Sequence, residues 1–127
     1  NINNLDNIKN LEKYDYILIL EVLEHIQNSE ELLINLIKKT DKAVFFSIPN
    51  TGYLSHRLRL LFGRFPLQWT GNPSEHIRFW TYKDLIWWLN SLGLLEKSNI
   101  YIYEGIPILN KVKPSFFGAG FLVKINK

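Results

Sequence analysis

The stretch 15–25, D-Y-I-L-I-L-E-V-L-E-H, constrains this chain more than any other. After its opening Asp, residues 15–20 are apolar and rich in Ile and Tyr, which suits a strand buried on both faces and not one alternating between core and water. Polar residues then arrive abruptly. If the backbone turns helical after Leu20, then Glu21, Glu24 and His25 stand at i, i+3 and i+4 and share one face at the carboxyl end of the strand. In open α/β sheets ligands bind at that end.

The elements that follow alternate as such a strand requires. Residues 1–13 carry Ile2, Leu5, Ile8 and Leu11 at every third position and read as a short helix or packed loop. Asn28 or Ser29 can cap a helix in which Glu30 and Glu31 meet the positive end of the dipole and Leu32, Leu33, Leu36 and Ile37 form the core face. A second buried strand, 43–48, stops at the turn run Pro49-Asn50-Thr51-Gly52. Residues 53–62 place Leu54, Leu58, Leu61 and Phe62 at helical spacing, and Gly63 ends that helix. From 64 to 80 periodicity disappears while Phe65, Trp69, Phe79, Trp80 and two prolines accumulate; ordered connections this long are more often functional than not. Thr81 and Asp84 form a capping-box-like pair opening a helix through Leu92. Strands at about 94–103 and 117–126 flank a loop, 104–115. This order predicts an α/β fold of parallel strands with crossover helices, closed by a C-terminal antiparallel strand pair.

Composition narrows the function classes. With 127 residues and 46% hydrophobic content, the chain reads as one domain. It has no cysteine, so disulfide and thiolate chemistry are excluded. No segment has the ~18 apolar residues of a membrane span, and residues 1–13 lack the order of a signal peptide, so a soluble, cytoplasmic protein with no membrane partner is expected. The net charge of +3 is scattered, and no nucleic-acid partner is expected.

The motif D-Y-I-L-I-L-E-V-L-E-H-I, then a strand ending S-I-P-N, then E-H-I-R-F-W-T, resembles the second half of a class I S-adenosylmethionine-dependent methyltransferase. Within that superfamily, I-P-N-T-G-Y-L-S-H-R-L-R-L-L-F-G-R-F-P followed by H-I-R-F-W-T-Y-K-D-L is similar to the MetW family of methionine-biosynthesis proteins and its methyltransferase relatives. The resemblance implies a partial Rossmann-like fold. The first half of such a domain carries a glycine-rich turn and a strand-closing acid that hold the cofactor, whereas all seven glycines here lie at or after Gly52. Residues 1–127 are therefore expected to be the C-terminal half of a methyltransferase domain, inactive alone. The outer edge of strand 15–20 would then lack its neighbour, and self-association or a partner protein is expected there.

Two readings of the site stand side by side. Glu21, Glu24 and His25 form a polar lip of the cofactor pocket, with Leu20 and Glu21 touching S-adenosylmethionine. Alternatively, Glu21, Glu24 and His25, joined by His76 from the long connection, hold a divalent metal, since carboxylate oxygens with imidazole suit Mg²⁺ or Mn²⁺. The E-x-x-E-H pattern with a later His resembles that of the small-RNA terminal 2′-O-methyltransferases and the ubiquinone-pathway O-methyltransferases, where a metal positions the acceptor hydroxyl. The working groups would be His25, His76 and Glu24. Asn50, Arg57, Phe65, Trp69 and Trp80 are candidates to line the pocket of a small-molecule acceptor. Two functions follow: methyl transfer to an unidentified acceptor, or, as the MetW likeness implies, an accessory partner of a homoserine O-acyltransferase.

Overall fold

The computed structural model describes residues 11–66 and 75–127. Strand β1 (Tyr14–Leu20) leads through a tight 3-10 turn, Leu23–His25, into helix α1 (Ser29–Lys38) and the parallel strand β2 (Thr40–Pro49). Helices α2 (Leu54–Leu61) and α3 (Tyr82–Ser91) follow, then β3 (Ser98–Gly105), two one-turn helices α4 (Leu109–Val112) and α5 (Pro114–Phe117), and β4 (Gly118–Asn126). The sheet order is β1-β2-β4-β3, with β2, β4 and β3 antiparallel in sequence along it. The predicted α/β class, parallel pair and C-terminal antiparallel pair are all present.

The core lies on one face of this sheet. Register sets Ile19 beside Phe46 and Phe46 beside Val123, with Val44 and Ile125 as the next layer. Leu32, Leu33 and Leu36 of α1 and Leu85, Trp88 and Leu89 of α3 close over them, all buried. The capping box expected at Thr81 and Asp84 is formed in both directions. No helix among the described residues is long and apolar enough to cross a membrane.

Several expectations are corrected. β2 begins at Thr40 because the sheet pairs that residue with Tyr14. A 3-10 turn at Leu95–Lys97 delays β3 to Ser98, and the loop 104–115 holds α4 and the start of α5. β1 has, as expected, one neighbouring strand among the described residues, but it is not buried on both faces: only Ile19 is buried, while Tyr16, Leu18 and Leu20 are exposed. In α2 the one buried residue is His56, and Leu58, Leu61 and Phe62 point to solvent. The segment 1–10 and Trp69 lie outside the described residues.

Candidate active site

Beyond β1 stand two carboxylates with opposite surroundings. Register pairs Leu20 with Ser47, which puts the Ser47 hydroxyl beside the first residue past the strand. Glu21 takes a left-handed φ of 51°; its N–H donates to Ser47 Oγ at 3.0 Å, and that hydroxyl donates to Glu21 Oε1 at 2.7 Å. Tyr103 Oη donates to the same oxygen at 2.9 Å. Its ring lies over Gly120, where a Cβ would come within 2.4 Å of it. Burial, and after it the charge of Glu21, pushes the Tyr103 phenol above its ordinary pKa and keeps it a donor.

This left-handed turn breaks the helical face expected for Glu21, Glu24 and His25. The following 3-10 turn carries Glu24 inward, where it is fully buried, and among the described residues neither of its carboxylate oxygens has a hydrogen-bond partner. Burial first, with the charge of Glu21 adding to it, pushes the Glu24 carboxyl up to about 7.

The same residue ties down the end of the long connection. Its backbone carbonyl accepts from the N–H groups of Ile77 at 2.9 Å and Arg78 at 3.1 Å. Arg78 adds a fork: Nη1 donates to the Gln27 carbonyl at 2.9 Å and to Glu30 Oε2 at 2.6 Å, and Nη2 donates to Glu30 Oε1. Trp88 Nε1 donates to that Glu30 oxygen at 2.7 Å.

With residues 77–78 fixed, Glu75 and His76 fall against His25. His25 Nδ1 lies 2.5 Å from the Glu75 carbonyl, which can only accept, so the proton sits on Nδ1 and Nε2 is left as the basic nitrogen, 3.9 Å from Glu24 Oε1. The rings of His25 and His76 meet edge to face with centroids 4.7 Å apart. One ligand atom from each of Glu24, His25 and His76 lies within 4.8 Å of the others. Burial and then the charge of His25 hold His76 below the ordinary histidine range, favouring the neutral ring. A cavity of about 330 Å³ lined by His25, Gln27, Asn28 and Ile77 opens beside this group. Such an arrangement can relay a proton or present oxygen and nitrogen donors to a cation.

The other candidates are placed differently. Leu20 is half exposed at the strand end. Asn50 is buried, with Nδ2 donating to the Gly118 carbonyl at 2.6 Å and Oδ1 accepting from the Gly52 N–H at 2.9 Å, so it braces the β2 turn. Arg57 donates to the carbonyls of Gly52 and Ser115 and stacks on Phe116. Trp80 is buried against Trp88, and Phe65 packs on Phe79 at the surface. Sequence reasoning missed Ser47 and Tyr103, the two hydroxyls that hold Glu21; Ser47 stood inside the S-I-P-N motif, but nothing in the sequence marked Tyr103.

A family model described as a methyltransferase domain matches residues 3–95. The ubiquinone biosynthesis O-methyltransferase of Rickettsia bellii is 26% identical over 103 residues, 79% of this chain and 40% of the relative, so the chain spans well under half the length of that protein. A SAM-dependent methyltransferase from Archaeoglobus fulgidus superposes with a TM-score of 0.64 at 17% identity, covering 97% of this chain and 64% of the other. The small RNA methyltransferase HEN1 gives 0.64 at 21% identity, over 94% of this chain and 14% of its own. The chain thus belongs to the methyltransferase-domain family and has the Rossmann-like fold of the class I, S-adenosylmethionine-dependent enzymes.

Proposed function

We propose that the intact protein transfers a methyl group from S-adenosylmethionine to a hydroxyl of a small-molecule acceptor, and that Glu24, His25 and His76 receive that hydroxyl. The observation that carries this reading is the fully buried Glu24 carboxylate, without a hydrogen-bond partner among the described residues and grouped with two imidazoles beside a cavity. The similarity to an O-methyltransferase of ubiquinone biosynthesis supports an oxygen atom as the methyl acceptor.

S-adenosylmethionine supplies an electrophilic methyl on a sulfonium. Leu20 and Glu21 are the residues of this chain proposed to meet it: Leu20 offers apolar surface, and Glu21 a carboxylate already fixed by Ser47 and Tyr103, favourable to a cationic cofactor. The remaining work is positioning the acceptor oxygen and holding its proton. His25 Nε2, set by the Nδ1 contact to Glu75, is the acceptor nitrogen on one side, and neutral His76 is the second.

The residues also fit a divalent cation. Glu24 lacks a hydrogen-bond partner, His25 is oriented through its other nitrogen, and His76 is held neutral, the state in which imidazole binds a metal. In that case Glu24, His25 and His76 would hold the cation instead of taking the proton themselves, and it would make the acceptor hydroxyl more acidic. Glu21 is left out, its carboxylate being engaged elsewhere.

Residues 1–127 form, in this proposal, the C-terminal half of the domain. Support comes from β1, whose sequence is apolar on both faces although, among the described residues, one strand alone borders it; the chain covers 40% of the relative. The MetW-like accessory role beside a homoserine O-acyltransferase draws no support from relatives named as methyltransferases. The test is methyl transfer from labelled S-adenosylmethionine to a catechol by the intact protein. Glu24→Gln and His76→Ala should each lower the rate by roughly 10²-fold or more; undiminished transfer in both would remove this site from the reaction.

A further inference from the structure

Helix α2 is turned inside out with respect to its hydropathy. Its buried side chain is His56, whereas Leu58, Leu61 and Phe62, at i, i+3 and i+4, lie on the opposite side and are 46%, 76% and 77% exposed. Arg57 and Arg59 flank that stripe, one residue to either side of Leu58, and Arg64 follows the helix end. Arg57 also joins α2 to the segment holding α4 and α5, by its bond to the Ser115 carbonyl at 3.4 Å and its stacking on Phe116. There Ile108 and Val112 are each 77% exposed, and Lys111 and Lys113 flank Val112. Ile108 sits at φ 67°, a strained conformation for a β-branched residue, and strain of this kind concentrates at functional positions. No Asp or Glu occurs from 43 to 74 or from 105 to 127, so the two segments that carry these outward apolar side chains contribute cations and no carboxylate.

We propose that this surface seats the protein on an anionic lipid bilayer. An apolar stripe with a rim of Arg and Lys is the chemistry of a peripheral membrane contact: the leucines and phenylalanine enter the interface and the cations meet phosphate headgroups. Charge complementarity selects an anionic bilayer. A nucleic acid would match the cations, but it would leave Leu58, Leu61 and Val112 at the centre of the contact with nothing to do. The contact lies on the surface and crosses nothing, in keeping with the absence of a spanning helix among the described residues.

The test is co-sedimentation of the intact protein with vesicles of phosphatidylcholine alone and of phosphatidylcholine mixed with phosphatidylglycerol. The protein should pellet with the anionic vesicles and stay largely in solution with the neutral ones. Leu61→Asp with Phe62→Asp should weaken the association by at least about tenfold, and Arg59→Glu with Arg64→Glu by a similar factor that salt reproduces in the parent protein. Trp87→Ser, which removes an exposed aromatic from α3 outside this surface, should change nothing. If the Leu61 and Phe62 variant fails to fold, Val112→Asp reads the same surface. Failure to pellet with anionic vesicles, equal loss in Trp87→Ser, or retention of single-stranded RNA without vesicle binding would each overturn the proposal.

Discussion

Glu21 and Glu24 leave the same strand three residues apart and end in opposite states. Glu21 turns back over the sheet, where the hydroxyls of Ser47 and Tyr103 both donate to one of its oxygens. Glu24 goes inward, is buried, and has no such donor among the described residues, so its carboxyl is pushed up to about 7. The first carboxylate is held by two hydroxyl donors; the second is a group whose charge the fold itself disfavours. A fold retains such a group at a cost in stability, and active sites are where that cost recurs. Spacing in the sequence nominates both, and only their surroundings divide them.

The largest effect that should separate the pair is a pH dependence. The Glu24 carboxyl has an ordinary value of 4.5 and about 7 in the fold, so the folded chain binds that proton more tightly than the unfolded one. Its contribution to stability is complete below about 4.5 and is lost as pH rises through about 7, a change on the order of 2 to 3 kcal/mol. Urea unfolding in chelator at pH 5 and pH 8 should show that loss in the parent protein, and the loss should be absent from Glu24→Gln. A slope that survives in the variant would assign it to other groups.

Removing the tie that brings His76 to His25 comes next. Arg78→Ala deprives the Gln27 carbonyl of its side-chain donor and leaves Glu30 with Trp88 Nε1, and it should cost about 1.5 to 3 kcal/mol by urea unfolding at pH 7. If His76 depends on that tie, the variant also loses the edge-to-face contact of the two rings, visible as a changed His25 imidazole shift. The smallest effect belongs to Glu21: Tyr103→Phe removes one of its two hydroxyl donors and should cost about 1 kcal/mol while leaving the Glu24 slope in place. Equal consequences from Tyr103→Phe and Glu24→Gln would erase the distinction between the two carboxylates.

Much of the frame was legible because it is local. Thr81 and Asp84 announced their capping box, and Gly63 and Gly93 ended helices in left-handed conformations. The approach of His76 to His25 was expected from resemblance alone, since no local rule connects residues 51 positions apart. What stayed hidden depends on distant partners. The turn at Glu21 is imposed by Ser47, and by Tyr103 from 82 residues away, which no spacing of E-x-x-E-H contains. The outward leucines of α2 look like a core face until the buried side proves to be His56. The unpaired edge of β1 was expected, but the exposure of Tyr16, Leu18 and Leu20 was not, because hydropathy records what a strand can bury and not what covers it. Beside it an apolar cavity of about 220 Å³ lies between Leu11, Ile17 to Ile19, Val22, Leu32 and Leu36.

The account turns on Glu24, His25 and His76 acting as one group, and the chain's three histidines make that directly measurable. Substoichiometric Mn²⁺ added to the intact protein should broaden the imidazole proton signals of His25 and His76 beyond detection and leave those of His56 sharp. The same addition to Glu24→Gln should leave all three histidines sharp. Equal broadening of all three histidines, or no broadening of any, would contradict the claim that these residues form a common site for a cation and an acceptor.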